Sequence, residues 1–140
     1  MKQLIFSTLV IFSIASSRAD LSGQESIEEI MTNVGVVVYT RSASNGTFDA
    51  KWSHSTNGSG RGRLTGGPSG AFAGSYGAIY FDEHGKEKFS LDLNVQKKGD
   101  DYDLIWSMKG ETVAIGIGTV ANGNLVVGYS FVDVKWLRRP

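Results

Sequence analysis

Residues 102–107 read YDLIWS, and the chain runs on through GIG at 116–118 to LVVGY at 125–129. Tyr102, Leu104 and Trp106 alternate with a second set of side chains, which is the period-two pattern of a half-buried strand. Gly116 and Gly118 place two positions without a side chain on one face of the next strand, where a neighbouring ring can lie against the backbone. The region therefore predicts adjacent strands that share a face rich in large aromatic side chains.

The same pattern occurs earlier in the chain. Residues 48–53 read FDAKWS, which repeats the aromatic-Asp-x-x-Trp-Ser order 54 residues upstream, and the GRG at 60–62 repeats the Gly-x-Gly order. We therefore predict an internal repeat in which the hairpin at 46–65 superposes on the hairpin at 101–119.

Short apolar runs separated by turn signals fill the rest of the chain from residue 35. Asn45-Gly46 predicts a hairpin turn in which both residues take positive φ, and the TGGPSG at 65–70 is the strongest chain breaker before a strand predicted over 72–81. Eight strands joined by short turns favour an all-β fold, an antiparallel eight-stranded up-and-down meander barrel. A two-sheet β-sandwich of the same meander is the alternative.

The first 33 residues differ from the rest. Lys2, the apolar run from Leu4 to Ile14 and the SRA at 17–19 predict a signal peptide over 1–19. Two consecutive capping boxes, at 22–25 and 26–29, then predict a short helix or linker over 20–33, and residues 34–140 are predicted to form a single barrel domain. The protein is thus expected to be exported, to the periplasm or the extracellular space.

Composition excludes several functional classes. Lysine plus arginine and aspartate plus glutamate both number 14, so no overall field attracts nucleic acid. The absence of cysteine rules out disulfides and thiolate metal sites. The only long apolar run is too short for a stable membrane span.

Two resemblances follow from these motifs. The AGSY at 73–76, Tyr102 with Trp106, the GIG at 116–118 and the NLVVGY at 124–129 together resemble a group of small exported bacterial proteins without assigned function. The short meandering strands with interior aromatics are more loosely similar to the avidin and lipocalin (calycin-like) barrels. The resemblance implies the fold and export, and it implies no catalytic residue.

Six aromatic side chains are predicted to face the barrel interior and are the candidate ligand-binding residues: Trp52, Tyr76, Tyr80, Tyr102, Trp106 and Tyr129. They either line a pocket for a small apolar or aromatic molecule or simply fill the barrel. The two interpretations differ in whether the hydroxyls of Tyr76, Tyr102 and Tyr129 converge on an empty volume.

Weaker candidates lie elsewhere. Arg61 and Arg63 share one face of a glycine-rich strand and are a weak candidate anion site; a solvated strand edge whose charges discourage aggregation is the favoured explanation. The two histidines are too isolated to predict a metal site. A rival enzymatic interpretation would use Asp82, His84 or Asp103 at the mouth of the barrel. No nucleophile, base and stabiliser combine convincingly, so we predict neither a catalytic site nor a cofactor.

The sequence thus predicts an exported non-catalytic binding protein that holds a small apolar or aromatic ligand in or at the mouth of a β-barrel. The alternative is an exported module that binds a protein partner, such as an inhibitor of an envelope enzyme, through its turns at 56–62, 82–86 and 97–101. Two N-glycosylation sequons, at 45–47 and 57–59, matter only in a eukaryotic source.

Overall fold

The computed structural model describes residues 33–132. The predicted signal peptide at 1–19 and nearly all of the predicted helix or linker at 20–33 lie outside the described residues, as does 133–140. The signal peptide and the short helix or linker therefore stay predictions.

Alternating side chains form eight strands in the described region, and the shortest have seven residues. In β2, for example, the side chains alternate strictly between buried and exposed, as the period-two pattern of the sequence predicts. The strands are β1 (Gly35–Arg41), β2 (Phe48–His54), β3 (Gly58–Thr65), β4 (Gly74–Asp82), β5 (Glu87–Lys98), β6 (Asp101–Met108), β7 (Glu111–Ala121) and β8 (Asn124–Phe131).

Each strand pairs antiparallel with its sequence neighbours, and β1 pairs with β8 to close the barrel. Gly35 lies opposite Tyr129 and Tyr39 lies opposite Leu125 in this closing pair. The predicted eight-stranded up-and-down barrel is confirmed, and the sandwich alternative is wrong. Closure removes the free sheet edges that a sandwich would have to protect.

The barrel has two ends that differ in their connections. The mouth carries the β2–β3, β4–β5 and β6–β7 turns, together with the start of β1 and the end of β8. The base carries the β1–β2, β3–β4, β5–β6 and β7–β8 connections. Within residues 33–132 there is no helix with the length and apolar character needed to cross a membrane.

The turns follow the sequence signals with one correction. Asn122 and Gly123 both take positive φ, as a tight two-residue hairpin turn requires. In the β1–β2 connection only Gly46 does so, with φ of 72°, so the prediction for Asn45 is wrong. This turn is closed by the N–H of Thr47, which donates to the carbonyl of Ser44 at 3.2 Å. The turn is therefore part of a longer loop between β1 and β2.

The β3–β4 connection is also longer than predicted. The sequence predicts a strand from residue 72, but β4 begins at Gly74. Phe72 instead lies in the connection and folds over the base, where it packs against Phe48 and Tyr102. Burying this ring against two others outweighs the local pattern that continues the strand.

Both tryptophans of the sequence echo are buried, Trp52 with 5% and Trp106 with 3% of its surface exposed. Each lies near the mouth on the first strand of a hairpin, and β2 and β6 are four strands apart around the barrel. Their cross-strand partners differ, since Trp52 faces Gly60 and Trp106 faces Ala114. Superposition of the two hairpins remains a prediction.

Candidate functional site

A cavity lies inside the barrel near the mouth. The cavity itself has a volume of about 30 Å³, and it opens towards solvent. That is room for a water molecule or a few ligand atoms without movement of the walls. The lining residues are Val37, Trp52, Tyr80, Phe89, Leu91, Trp106, Ala114, Tyr129 and Phe131.

Half-buried aromatic rings form the outer part of the cavity. Phe131 lies 5.7 Å from Phe89 and 5.9 Å from Tyr129 between ring centroids, and His54 packs against both Phe131 and Tyr129 at 5.0 and 5.9 Å. Most of these contacts are edge-on or tilted, which suits the quadrupoles of aromatic rings. Because these rings border both solvent and the cavity, their rotation would widen the opening.

Three polar groups form a buried chain beside the cavity; Trp106 and Tyr80 belong to its lining, and Tyr39 lies behind them. The indole N–H of Trp106 donates to the hydroxyl of Tyr80 at 2.8 Å, and that hydroxyl lies 2.6 Å from the hydroxyl of Tyr39. The chain holds three protons but only two hydrogen bonds. One hydroxyl proton therefore has no acceptor among residues 33–132, whichever tyrosine donates to the other. When Tyr39 donates, that proton belongs to Tyr80, which lines the cavity.

Tyr129 supplies a second donor. Its ring lies directly over Gly35 on the neighbouring strand, where a Cβ atom would collide with the ring. Its hydroxyl makes no hydrogen bond within the part of the chain that the structure describes. A half-buried tyrosine usually finds a partner for its hydroxyl, so this group is available to a bound molecule.

Burial keeps these phenols protonated. Desolvation raises the pKa of Tyr80 to about 12, although its hydrogen bonds with Tyr39 and Trp106 act in the opposite direction. Desolvation, together with the nearby Tyr80, raises the pKa of Tyr129 to about 12, and burial raises that of Tyr39 well above its ordinary value. At neutral pH the hydroxyls are hydrogen-bond donors rather than phenolate bases.

The structure divides the six predicted aromatic residues between the two ends. Trp52, Tyr80, Trp106 and Tyr129 line the cavity. Tyr76 and Tyr102 belong to the base. Of the three tyrosines whose hydroxyls were expected to converge on an empty volume, only Tyr129 lines the cavity, together with Tyr80.

The base is closed by rings that leave no room for a water-sized sphere. The hydroxyl of Tyr76 donates to the carbonyl of Phe72 at 2.7 Å, so it is satisfied. The guanidinium of Arg41 lies 5.1 Å from the ring centre of Phe48 and 4.6 Å from that of Phe72. These contacts hold the β3–β4 connection across the end of the barrel.

The indole N–H of Trp52 is hydrogen-bonded to the backbone of the barrel wall. Its indole N–H donates to the carbonyls of Arg61 and Phe81, at 3.1 and 3.0 Å, between β3 and β4. Its ring therefore serves as apolar wall, and its polar atom is not offered to a ligand.

The predicted anion pair lies on the outer wall and not at the cavity. Arg63 is 3.8 Å from the carboxylate of Asp49, with both side chains mostly exposed. Arg61 lies opposite Lys51 on the neighbouring strand. Two exposed cations on a solvated strand are a weak basis for an anion site.

The residues of the rival enzymatic interpretation do not converge. Asp82 caps the β4–β5 turn by accepting the backbone N–H groups of His84 and Lys86, both at 2.9 Å, and the Lys86 bond is the main cause of its lowered pKa. Asp103 lies 3.6 Å from Lys98 on the outer wall of β6, opposite Ile117. Among residues 33–132 no three histidine or acidic side chains group in a way that could hold a metal ion.

Sequence reasoning missed five of the lining residues, of which Phe89 and Phe131 are aromatic, and it also missed Tyr39 behind the lining. Phe89 and Phe131 were visible as inward positions of alternating strands, but their closeness to the mouth depends on the barrel register. Tyr39 was hidden because the Val-rich strand 35–40 is apolar on both faces. The hydroxyl contact with Tyr80, 41 residues away, requires closure between β1 and β8.

Comparisons with protein-family models, with curated proteins and with solved structures found no match to this chain. The two resemblances described above stay predictions from sequence patterns.

Proposed function

We propose that this protein is an exported, non-catalytic binding protein that holds a small apolar molecule, preferably one aromatic ring with one hydrogen-bond acceptor, at the mouth of the barrel. The observation that carries the proposal is the pairing of an apolar cavity with hydroxyl protons that lack an acceptor. On the described part of the chain, Tyr129 contributes one such proton, and Tyr80 contributes a second when Tyr39 is the donor to it.

The chemistry of the walls defines the ligand class. The rings of Trp52, Trp106 and Phe89 offer stacking surfaces, and a carbonyl or ether oxygen can accept from Tyr80 or Tyr129. A charged ligand would lose its hydration in this cavity without an opposite charge to compensate. The ligand is therefore expected to be neutral.

The small volume limits size and affinity. A molecule with about nine heavy atoms needs the half-buried rings of Phe89, Tyr129 and Phe131 to move outward. At roughly 0.5–0.8 kcal/mol per heavy atom, such a ligand would bind with a dissociation constant between about 0.5 mM and 5 µM.

The absence of catalysis is part of the proposal. The raised pKa values of Tyr80 and Tyr129 leave these groups protonated, and a general base at this position would need the reverse shift. The alternative function, binding of a protein partner through the turns, remains a prediction from the sequence.

The proposal is tested by isothermal titration with acetophenone, which has a ring and one acceptor, and with ethylbenzene, which has the ring alone. We expect acetophenone to bind at least tenfold more tightly, and Tyr129→Phe to reduce that preference. Tyr102→Phe, at the base, is the matched control and should leave the preference unchanged. Equal binding of both compounds, or none by either, would refute the proposed chemistry.

Native mass spectrometry of the protein purified from its own host supplies the natural occupant. A bound neutral small molecule supports the carrier function. A bare mass together with a co-purifying envelope protein would contradict it.

A further inference from the structure

The outer wall of the barrel is not uniformly polar. On β6, β7, β8 and β1 seven outward positions form a continuous apolar surface, bordered by polar residues such as Asp103, Thr119 and Ser130. We call it the outer apolar face: Val36, Val38, Ile105, Ile115, Ile117, Val126 and Gly128. Ile117 exposes 70% of its surface, Val36 52% and Ile115 49%. On the neighbouring strand β5, by contrast, the outward positions carry Lys88, Ser90 and Asp92.

Cross-strand register makes this surface continuous. Ile105 lies opposite Ile115, Ile117 lies opposite Gly128, and Gly128 lies opposite Val36. Directly opposed apolar side chains on one sheet face are in contact with each other. Large exposed aliphatic side chains in one patch indicate an interaction surface, whereas scattered ones are ordinary.

We propose that the outer apolar face joins two copies of this chain in a weak symmetric dimer. The face carries a protruding side chain and a shallow hollow side by side. Ile117 is the most exposed large apolar side chain in the described region, and a Cβ atom placed on the adjacent Gly128 would meet nothing within 4 Å. A two-fold axis parallel to the strands between β7 and β8 places Ile117 of each copy over Gly128 of the other.

This geometry favours a second copy over an unrelated partner. A two-fold interface needs a self-complementary surface. Here a single two-fold rotation places the protruding Ile117 of each copy in the hollow at Gly128 of the other. The nearest charges lie along the two edges of the face: Asp103 is opposite Ile117 and 3.6 Å from Lys98, and Lys51 is opposite Val38. The outward positions of β7 and β8 from 115 to 119 and from 126 to 130 carry no charge, so no like charges meet where the centres of two identical faces would pack.

The area of the outer apolar face limits the affinity of the dimer. From these fractional exposures, covering the face on both copies would bury on the order of 1,000 Å², which is at the lower limit of specific interfaces. We expect a reversible dimer with a dissociation constant in the micromolar range, and not an obligate assembly.

Sedimentation velocity of the full chain, from about 1 µM to 1 mM, measures the dissociation constant directly. Ile117→Lys should raise it at least tenfold because a lysine must then be buried against the partner. The matched control is Val120→Lys on the same strand. Val120 is 44% exposed, but it pairs with Leu125 and lies outside the face. The dimer dissociation constant of Val120→Lys should therefore equal that of the unchanged protein.

A second variant separates dimerisation from folding. Gly128→Ile fills the hollow in open space, so the thermal unfolding midpoint should stay the same or rise while the dimer weakens at least tenfold. Combining it with Ile117→Ala moves the protrusion to the other strand and should restore part of the affinity.

Three results would overturn the proposal. One is a monomer at all concentrations up to 1 mM. Another is equal weakening by Ile117→Lys and Val120→Lys. The third is a monomer that floats with vesicles of phosphatidylcholine and phosphatidylglycerol and loses this binding in Ile117→Lys, which would assign the face to a lipid surface.

Discussion

The two ends of the barrel use the same kinds of side chain with opposite results. At the base, Phe48, Phe72 and Tyr76 fill the interior, and the Tyr76 hydroxyl donates to a backbone carbonyl. At the mouth, Trp106 and Tyr129 lie 5.6 Å apart beside a cavity, and the Tyr129 hydroxyl has no partner within residues 33–132. Tyrosine content alone therefore does not indicate a binding site. Tyr102 at the base also makes no hydrogen bond through its hydroxyl within the described residues, but it does not line the cavity. What distinguishes the mouth is that its unbonded hydroxyl belongs to Tyr129, which lines a cavity.

A loop explains much of this difference. The β3–β4 connection at the base is long enough to fold Phe72 over the barrel end, where Arg41 covers it. The connections at the mouth are short turns that leave the interior rings half-buried. The same interior therefore becomes a packed core at one end and a lined opening at the other.

The largest expected effect is at the inner part of the mouth. Trp106→Ala should lower the free energy of unfolding by about 3–5 kcal/mol, because it removes a buried ring and leaves Tyr80 without its donor. Urea denaturation followed by circular dichroism measures this, with the exposed Val120→Ala as control. A loss below about 1 kcal/mol would mean that the mouth is not part of the cooperative core.

The next effect compares one ring at each end. Phe72→Ala should cost about 2–3 kcal/mol because Phe72 contacts Phe48, Tyr102 and the Arg41 guanidinium. Phe89→Ala should cost about 1 kcal/mol or less, since part of that ring borders empty space. Equal losses in the same denaturation experiment would remove the energetic distinction between base and mouth.

A smaller effect is expected when a single tyrosine hydroxyl is removed at each end. Tyr76→Phe should lower the free energy of unfolding by about 1 kcal/mol, since it deletes a hydrogen bond to a backbone carbonyl. Tyr129→Phe should leave it unchanged or raise it slightly, because the deleted hydroxyl makes no bond in the described region. The reverse order in denaturant midpoints would contradict our account of both ends.

The smallest effect is a pH dependence at the mouth. Burial lowers the pKa of His54, whose Nδ1 accepts the backbone N–H groups of Thr56 and Asn57 at 3.1 and 3.3 Å. As the pH falls below about 6.5, the unfolded chain takes up this proton before the folded chain does, so stability decreases until the folded pKa is passed.

Thermal unfolding midpoints between pH 7.5 and 5 should show this decrease. His54→Phe should remove it, whereas a change at the exposed His84, such as His84→Gln, should not. A midpoint that rises on acidification would contradict the sign derived from the lowered pKa.

The sequence contained nearly all of the fold and about half of the site. Strand alternation and turn residues were sufficient for an eight-stranded meander, because each is decided by neighbours in the chain. The separation of Tyr76 and Tyr102 from Tyr80 and Tyr129 was not predictable, since all four have the same inward pattern. Only the register places Tyr102 opposite Gly118 near the base and Tyr129 opposite Gly35 at the mouth.

Two further failures have local causes. Phe72 continues an apparent strand pattern, but its ring gains more by covering the base than by extending β4. The Tyr39–Tyr80 contact joins residues on β1 and β4 across the interior, and no local periodicity reports it.

The most direct test of the central claim is a nitrogen-15 correlation NMR titration of the full chain with acetophenone. We predict saturable shift changes at the Trp106 indole N–H and at the amides of Phe89, Ala114 and Phe131, with none at Phe48, Phe72 or Val95 of the base. Changes confined to the base or the outer wall, or no saturable change up to the solubility limit, would contradict a binding site at the mouth.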